Sequence, residues 1–159
     1  MPPLFTIGYE HTTPAAFLDE LMRAQIGLVV DVRAVAASRR PGFSKRQLAA
    51  ALDEHGIAYL HLRALGTPKE GRLAARSGDM AALFRIYEAH LATPAAREEL
   101  DALTDLVRSG RRLCLLCYER DPNHCHRQKV AALMAERTGV AIENLSAVPF
   151  STEAARSAP

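Results

Sequence analysis

The chain has 159 residues, 48% of them hydrophobic, and a net charge of +2 at pH 7. This length predicts a single α/β domain over residues 1–149, followed by a flexible tail at 150–159. The small, scattered charge does not indicate direct nucleic-acid binding, and no apolar run approaches the roughly 20 residues of a membrane span. We therefore expect a cytoplasmic protein with no signal peptide and no membrane partner.

Short apolar runs and longer helical patterns alternate along the chain. The apolar runs predict strands at 4–8, 26–32, 57–62, 111–117 and 141–145. Hydrophobic residues three or four positions apart predict helices at 13–24, 44–55, 79–91 and 93–109, and a last helix from near Arg127 to Thr138. The polar segment 66–72 is expected to be a loop, which is either a lid or an ordinary surface connection.

This alternation of strands and helices predicts the fold class. Strands joined by helices of this length form parallel sheets through right-handed crossovers. The expected architecture is a three-layer αβα sandwich, Rossmann-like, with a mostly parallel sheet of about five strands.

Polar side chains follow the predicted strands at the point where each strand ends. Because the carboxyl ends of parallel strands meet at one edge of a sheet, we expect these side chains to share one pocket. The candidate ligand-binding residues are Tyr9, Asp31, Arg33, Arg39, His61 and Arg127. The candidate catalytic residues are Cys117, Glu119, Cys125 and His126.

Segment 114–127 is the most distinctive part of the chain, with the sequence CLLCYERDPNHCHR. It joins a predicted strand to a predicted helix, and the free N–H groups of a helix start favour an anion. Arginines at such positions offer a fork that matches carboxylate or phosphate, so Arg33, Arg39 and Arg127 are expected to clamp the ligand. Ion pairs with Asp31 or Glu119 are the structural alternative. Arg40, Arg46, Arg111 and Arg112 are expected at the solvated surface.

The three cysteines are an odd number, which fits a reducing compartment better than a disulfide framework. Cys114 is expected in the core, and Cys117 and Cys125 are expected to be unbridged. A metal site would use Cys117, Cys125 and His126, with Glu119 or His124. Seven residues separate the two cysteines, unlike the close pairs usual in zinc sites, so no metal is expected.

Four motifs together resemble the family called domain of unknown function 488 (DUF488). They are Thr6-Ile7-Gly8-Tyr9, Asp31-Val32-Arg33 with Ser38-Arg39, Tyr59-Leu60-His61-Leu62 with Leu65-Gly66, and Cys117-Tyr118-Glu119 with Cys125-His126-Arg127. They extend over about residues 4–146, and Tyr9 stands where the family usually has histidine. The resemblance implies an α/β fold and a shared site but no particular reaction.

The pattern predicts an enzyme or ligand-binding domain that acts on a phosphate-bearing or nucleotide-like anion. One alternative is rhodanese-like thiol chemistry or metal-dependent chemistry at Cys117, Cys125 and His126. Another is a non-catalytic sensor or an accessory factor in nucleic-acid metabolism. The sequence names no cofactor, substrate or oligomeric state.

Overall fold

The computed structural model describes residues 1–147, so the tail expected at 150–159 lies outside the described residues. Within that range, five parallel strands form one sheet in the order β3-β2-β4-β1-β5. The strands are β1 (Leu4–Gly8), β2 (Leu28–Asp31), β3 (Ala58–His61), β4 (Leu113–Cys117) and β5 (Ile142–Asn144). The helices are α1 (Pro14–Arg23), α2 (Lys45–Glu54), α3 (Lys69–Arg76), α4 (Met80–Leu91), α5 (Pro94–Arg108) and α6 (Arg127–Thr138).

Helices cover both faces of the sheet, which confirms the three-layer Rossmann-like α/β fold. On one face, α1 and α2 bury apolar residues such as Phe17 and Leu48 against the sheet. On the other face, α4, α5 and α6 pack around a second core that includes Leu103 and Met134. Two covered faces explain why the central strands are continuously apolar.

The central strand β4 alternates between the two cores. Leu113, Leu115 and Cys117 belong to the core under α4, α5 and α6, whereas Cys114 and Leu116 belong to the core under α1 and α2. The two strand cysteines therefore face opposite cores. Cys117 stands at the carboxyl end of the strand, and Cys114 is fully buried core.

The segment 66–72 is not the loop that was expected, because α3 begins at Lys69. Gly71 lies inside this helix and weakens its helical signal in the sequence, since glycine is a poor helix former. Its missing side chain lets α3 approach its neighbours: a Cβ on Gly71 would lie 2.6 Å from Thr67 Cγ2 and 3.4 Å from Leu83 Cδ1. Packing against α4 stabilises a helix that its own sequence specifies only weakly.

Two short 3₁₀ turns shape the carboxyl edge of the sheet. One covers Arg63–Leu65 after β3, and the other covers Pro122–His124 within the segment that joins β4 to α6. None of the helices in residues 1–147 has the length and apolar character needed to cross a membrane.

Candidate functional site

A pocket of about 500 Å³ opens at the carboxyl edge of the sheet, and we call it the edge pocket. Four of the predicted site residues line it, namely Tyr9, Arg33, Glu119 and His126. The lining also contains His124, which the sequence offered only as a possible metal ligand. The other lining residues were not singled out for a site: Ala34, Val35, Ala37, Thr67, Arg72, Ala75, Arg76, Leu83 and Tyr118. A volume of this size suits a small organic ligand.

The other predicted site residues do not line the edge pocket. Asp31, His61, Cys117, Cys125 and Arg127 lie at the same edge of the sheet and contact residues that do line it. Arg39 is exposed and outside the lining. Most of the predicted site residues therefore lie at one edge of the sheet. Some of them line the edge pocket, and the others contact the lining residues.

Asp31 and Arg33 form a buried ion pair at the end of β2, with Arg33 Nη2 2.7 Å from Asp31 Oδ2. Arg33 Nε adds a second hydrogen bond to Asp31 Oδ1 at 2.9 Å, and Tyr59 Oη donates to Oδ2 at 2.5 Å. Burial and then the hydrogen bond to Asp31 raise the pKa of Tyr59 above its ordinary value. The phenol therefore keeps its proton and remains a donor to Asp31 at neutral pH.

The remaining donors of Arg33 are largely used within the protein. Nη1 donates to Tyr9 Oη at 3.2 Å and to the Phe43 carbonyl at 2.7 Å. With the bonds to Asp31, four of the five N–H groups have acceptors among the described residues. Arg33 is therefore fixed in the pocket wall, with one Nη2 N–H free of these acceptors.

Arg127 is fully buried beneath the edge pocket. Its Nη1 donates to the Glu119 carbonyl at 2.5 Å and approaches Cys117 Sγ at 3.1 Å, while Nη2 donates to the Arg120 carbonyl at 3.3 Å. An ion pair with the Glu119 carboxylate, the structural alternative to a ligand clamp, is not formed by Arg127 among residues 1–147. Arg127 thus holds the backbone after β4 in place.

Glu119 is one of the residues that line the edge pocket. Its Oε2 lies 3.5 Å from Cys117 Sγ. Burial raises the pKa of Glu119 above the ordinary value for a carboxyl group. A carboxyl group with a raised pKa holds its proton more tightly than an exposed carboxyl group does.

His126 is held by one strong hydrogen bond, between Nε2 and the Val32 carbonyl at 2.6 Å. The carbonyl can only accept, so Nε2 carries the proton and Nδ1 keeps its lone pair. Burial lowers the pKa of His126 to about 4. The imidazole is therefore neutral at physiological pH.

Cys117 and Cys125 form a disulfide in the structure, so the expectation that both are unbridged is wrong here. The 3₁₀ turn folds the segment after β4 back on itself, which brings two cysteines eight positions apart together. The sequence spacing gave no sign of this contact. Both sulfurs are buried and neither cysteine lines the edge pocket, a placement unlike an exposed catalytic thiol.

Arg40 and Arg112 are not the solvated surface residues that were expected. Arg40 is half-buried and donates to the carbonyls of Tyr9 and Thr12, and its guanidinium lies over the Phe43 ring. Arg112 donates to the Ala24 carbonyl at 2.8 Å. Arg40 thus connects the loop after β2 to the loop after β1, and Arg112 connects the start of β4 to the end of α1.

Arg72 and Arg76 are the functional candidates that sequence reasoning missed. They are four positions apart on α3, so both point from one face of the helix into the edge pocket. This spacing would have identified them had the segment been assigned to a helix.

The protein is a parallel α/β protein with a polar pocket at the carboxyl ends of its strands, the edge at which open α/β sheets usually bind ligands. Residues 13–134 match the family model described as Domain of unknown function DUF488, and the chain belongs to this family. The match lies inside the range of about 4–146 over which the motifs extend, and it confirms the resemblance. Comparisons with curated proteins and with solved structures find no match.

Proposed function

We propose that the protein binds a small phosphate-bearing, nucleotide-like anion in the edge pocket. The observation that carries this proposal is the charge of the lining: Arg72 and Arg76 line the pocket with a single carboxylate, Glu119, while the charge of the third arginine, Arg33, is balanced by Asp31. Arginine is suited to phosphate because its planar fork offers paired donors.

Arg72 and Arg76 are the main contacts in this proposal. Arg76 is exposed, and Arg72 is half-buried with Nη1 3.2 Å from the Thr67 carbonyl. Most of the donors of both side chains are therefore available, unlike those of Arg33. Arg33, whose charge is balanced by Asp31, contributes its remaining N–H to the pocket wall.

The nucleotide-like character of the ligand rests on Tyr118. Its side chain is 43% exposed in the pocket lining, and its ring packs edge-on against Tyr9 at a centroid distance of 5.3 Å. An aromatic ring fixed in this way offers a stacking surface for a base. Glu119, whose pKa is raised by burial, and neutral His126 also line the pocket.

Isothermal titration calorimetry with inorganic phosphate and with nucleoside monophosphates tests the proposal. Arg72→Ala and Arg76→Ala should each weaken phosphate binding about tenfold, the loss expected for one charge-assisted hydrogen bond. Tyr118→Ala should weaken nucleotide binding while leaving phosphate binding unchanged. The control is Arg111→Ala, because Arg111 is exposed beyond the opposite, amino end of β4.

Binding of neither probe to the wild-type protein would refute the proposal. Equal losses in Arg72→Ala, Arg76→Ala and Arg111→Ala would refute the assignment of the edge pocket, because the attraction would then come from net charge alone. Affinity should also fall as salt rises, since screening weakens contacts to a charged ligand.

A further inference from the structure

A second cluster of chemically active side chains lies beneath the edge pocket, and we call it the Cys-His cluster. It consists of Cys117, Cys125 and His126, and the two Sγ atoms and one ring nitrogen all lie within 4.8 Å of one another. Each cysteine is 1% exposed. Two thiolates and an imidazole are ligands that zinc prefers in proteins.

The orientation of His126 leaves the correct nitrogen free for a metal. Nε2 donates its proton to the Val32 carbonyl, so the lone pair stays on Nδ1, which lies 3.9 Å from Cys125 Sγ. Histidines that bind metals usually donate their other N–H to a carbonyl or carboxylate, which fixes the ring. The hydrogen bond from His126 Nε2 to the Val32 carbonyl fixes the imidazole ring in this way.

The surroundings of the sulfur atoms suit thiolates. The Arg127 backbone N–H lies 3.5 Å from Cys125 Sγ, and Arg127 Nη1 lies 3.1 Å from Cys117 Sγ. Arg127 is fully buried and forms no ion pair with a carboxylate in residues 1–147. A buried cation needs a compensating charge, which thiolates of the reduced, metal-free cluster supply and a neutral disulfide does not.

We propose that the reduced Cys-His cluster binds one divalent transition-metal ion, Zn²⁺ by its ligand chemistry. The ligands are Cys117 Sγ, Cys125 Sγ and His126 Nδ1, with Glu119 Oε2, 3.5 Å from Cys117 Sγ, as the fourth. The two cysteine Cα atoms are 7.4 Å apart, beyond the range of about 4.4 to 6.8 Å usual for disulfides. A metal ion between two thiolates spans a longer distance.

Metal binding requires reduction of the Cys117–Cys125 bond. An external dithiol supplies two electrons and two protons, the S–S bond breaks into two thiols, and the dithiol becomes its cyclic disulfide. The metal ion then displaces the two thiol protons into solvent. Two of the proposed ligands, Glu119 and His126, also line the edge pocket, but the anion is held there by Arg72 and Arg76, so neither proposal depends on the other.

Titration of the reduced full chain with Co²⁺, after anaerobic removal of the reductant, tests the site. One equivalent should produce thiolate-to-metal charge-transfer bands and the strong visible bands of tetrahedral Co²⁺, and Zn²⁺ should abolish both. Cys117→Ser, Cys125→Ser and His126→Gln should each weaken Co²⁺ binding at least tenfold. Glu119→Gln should change the visible bands, and unchanged bands would remove Glu119 from the ligand set.

Two variants serve as controls. Cys114→Ala removes the third thiol, and His55→Ala removes an exposed histidine at the end of α2, so both should keep the wild-type stoichiometry and spectrum. Absence of charge-transfer bands in the wild-type protein, or bands that survive in both Cys117→Ser and Cys125→Ser, would overturn the proposal.

A measurement on the wild-type chain alone covers the case in which the ligand variants do not fold. Iodoacetamide labelling of the reduced protein, read by peptide mass spectrometry, should modify Cys117 and Cys125 at least tenfold more slowly with Zn²⁺ than without it. Equal labelling rates with and without Zn²⁺ would overturn the proposal.

Discussion

Gly8 lies so close to Glu119 that a Cβ on Gly8 would sit 1.7 Å from the Glu119 carbonyl oxygen. Only a residue without a side chain lets the backbone after β4 cross the end of β1 at this distance. The same carbonyl accepts a hydrogen bond from Arg127. The absence of a side chain at Gly8 therefore permits the backbone position from which Glu119 lines the edge pocket.

Gly8→Ala should destabilise the protein by about 3 kcal/mol, the upper end of the range for overpacking, because the clash is with backbone. Chemical denaturation gives the loss in free energy of unfolding. The matched control is Gly27→Ala, where the added Cβ would lie 3.9 Å from the Arg112 carbonyl oxygen, an ordinary contact. Equal midpoints for the two variants would contradict the close crossing.

Asp31→Ala should cost about 3 to 5 kcal/mol, because it leaves the Arg33 guanidinium buried without its partner. The comparison is Asp101→Ala, which removes a partner of Arg137 from an exposed pair and should cost at most about 1 kcal/mol. Urea unfolding of both variants measures the difference. A small loss in Asp31→Ala would mean that Arg33 is solvated rather than held by Asp31.

Arg127→Ala should destabilise the fold by about 2 to 5 kcal/mol, because it leaves a cavity and two carbonyls without donors. The sequence suggested a ligand clamp, whose removal would leave stability nearly intact. Thermal melting distinguishes the two roles, with Arg111→Ala as an exposed control. A melting temperature close to that of the wild type would favour the clamp.

Stability should fall as the pH rises above about 10, the ordinary pKa of tyrosine. Burial raises the pKa of Tyr59 and Tyr87, so the folded chain keeps phenolic protons that the unfolded chain releases. Their contribution is complete below pH 10 and is lost as the pH rises toward the folded pKa values. Tyr59→Phe should lose stability less steeply in this range, and parallel curves would contradict the shift.

The sequence by itself determined the order of strands and helices in most of the described chain. Apolar runs such as 113–117 are too short for helices and are buried on both faces, so they form strands wherever helices cover them. Threonine followed by proline marked the starts of α1 and α5, and the structure places the Thr13 and Thr93 hydroxyls as caps there. These signals are local and depend on few distant contacts.

Tertiary contacts determined that α3 forms and which residues line the edge pocket. Gly71 lowers the helical tendency of its own segment, and packing on α4 compensates for it. Arg72 and Arg76 therefore became pocket residues through a contact that sequence periodicity does not contain. Tertiary contacts also decided that Arg33 is held in the pocket wall, because Asp31, Tyr9 and the Phe43 carbonyl occupy its donors.

The Cys-His cluster likewise exists only in three dimensions. The sequence showed two cysteines eight positions apart, a spacing unlike a usual zinc motif. The turn at Pro122–His124 and the buried Arg127 side chain bring the sulfur atoms and His126 together. Local sequence fixes which side chains are available, but packing around a buried cation decides which of them meet.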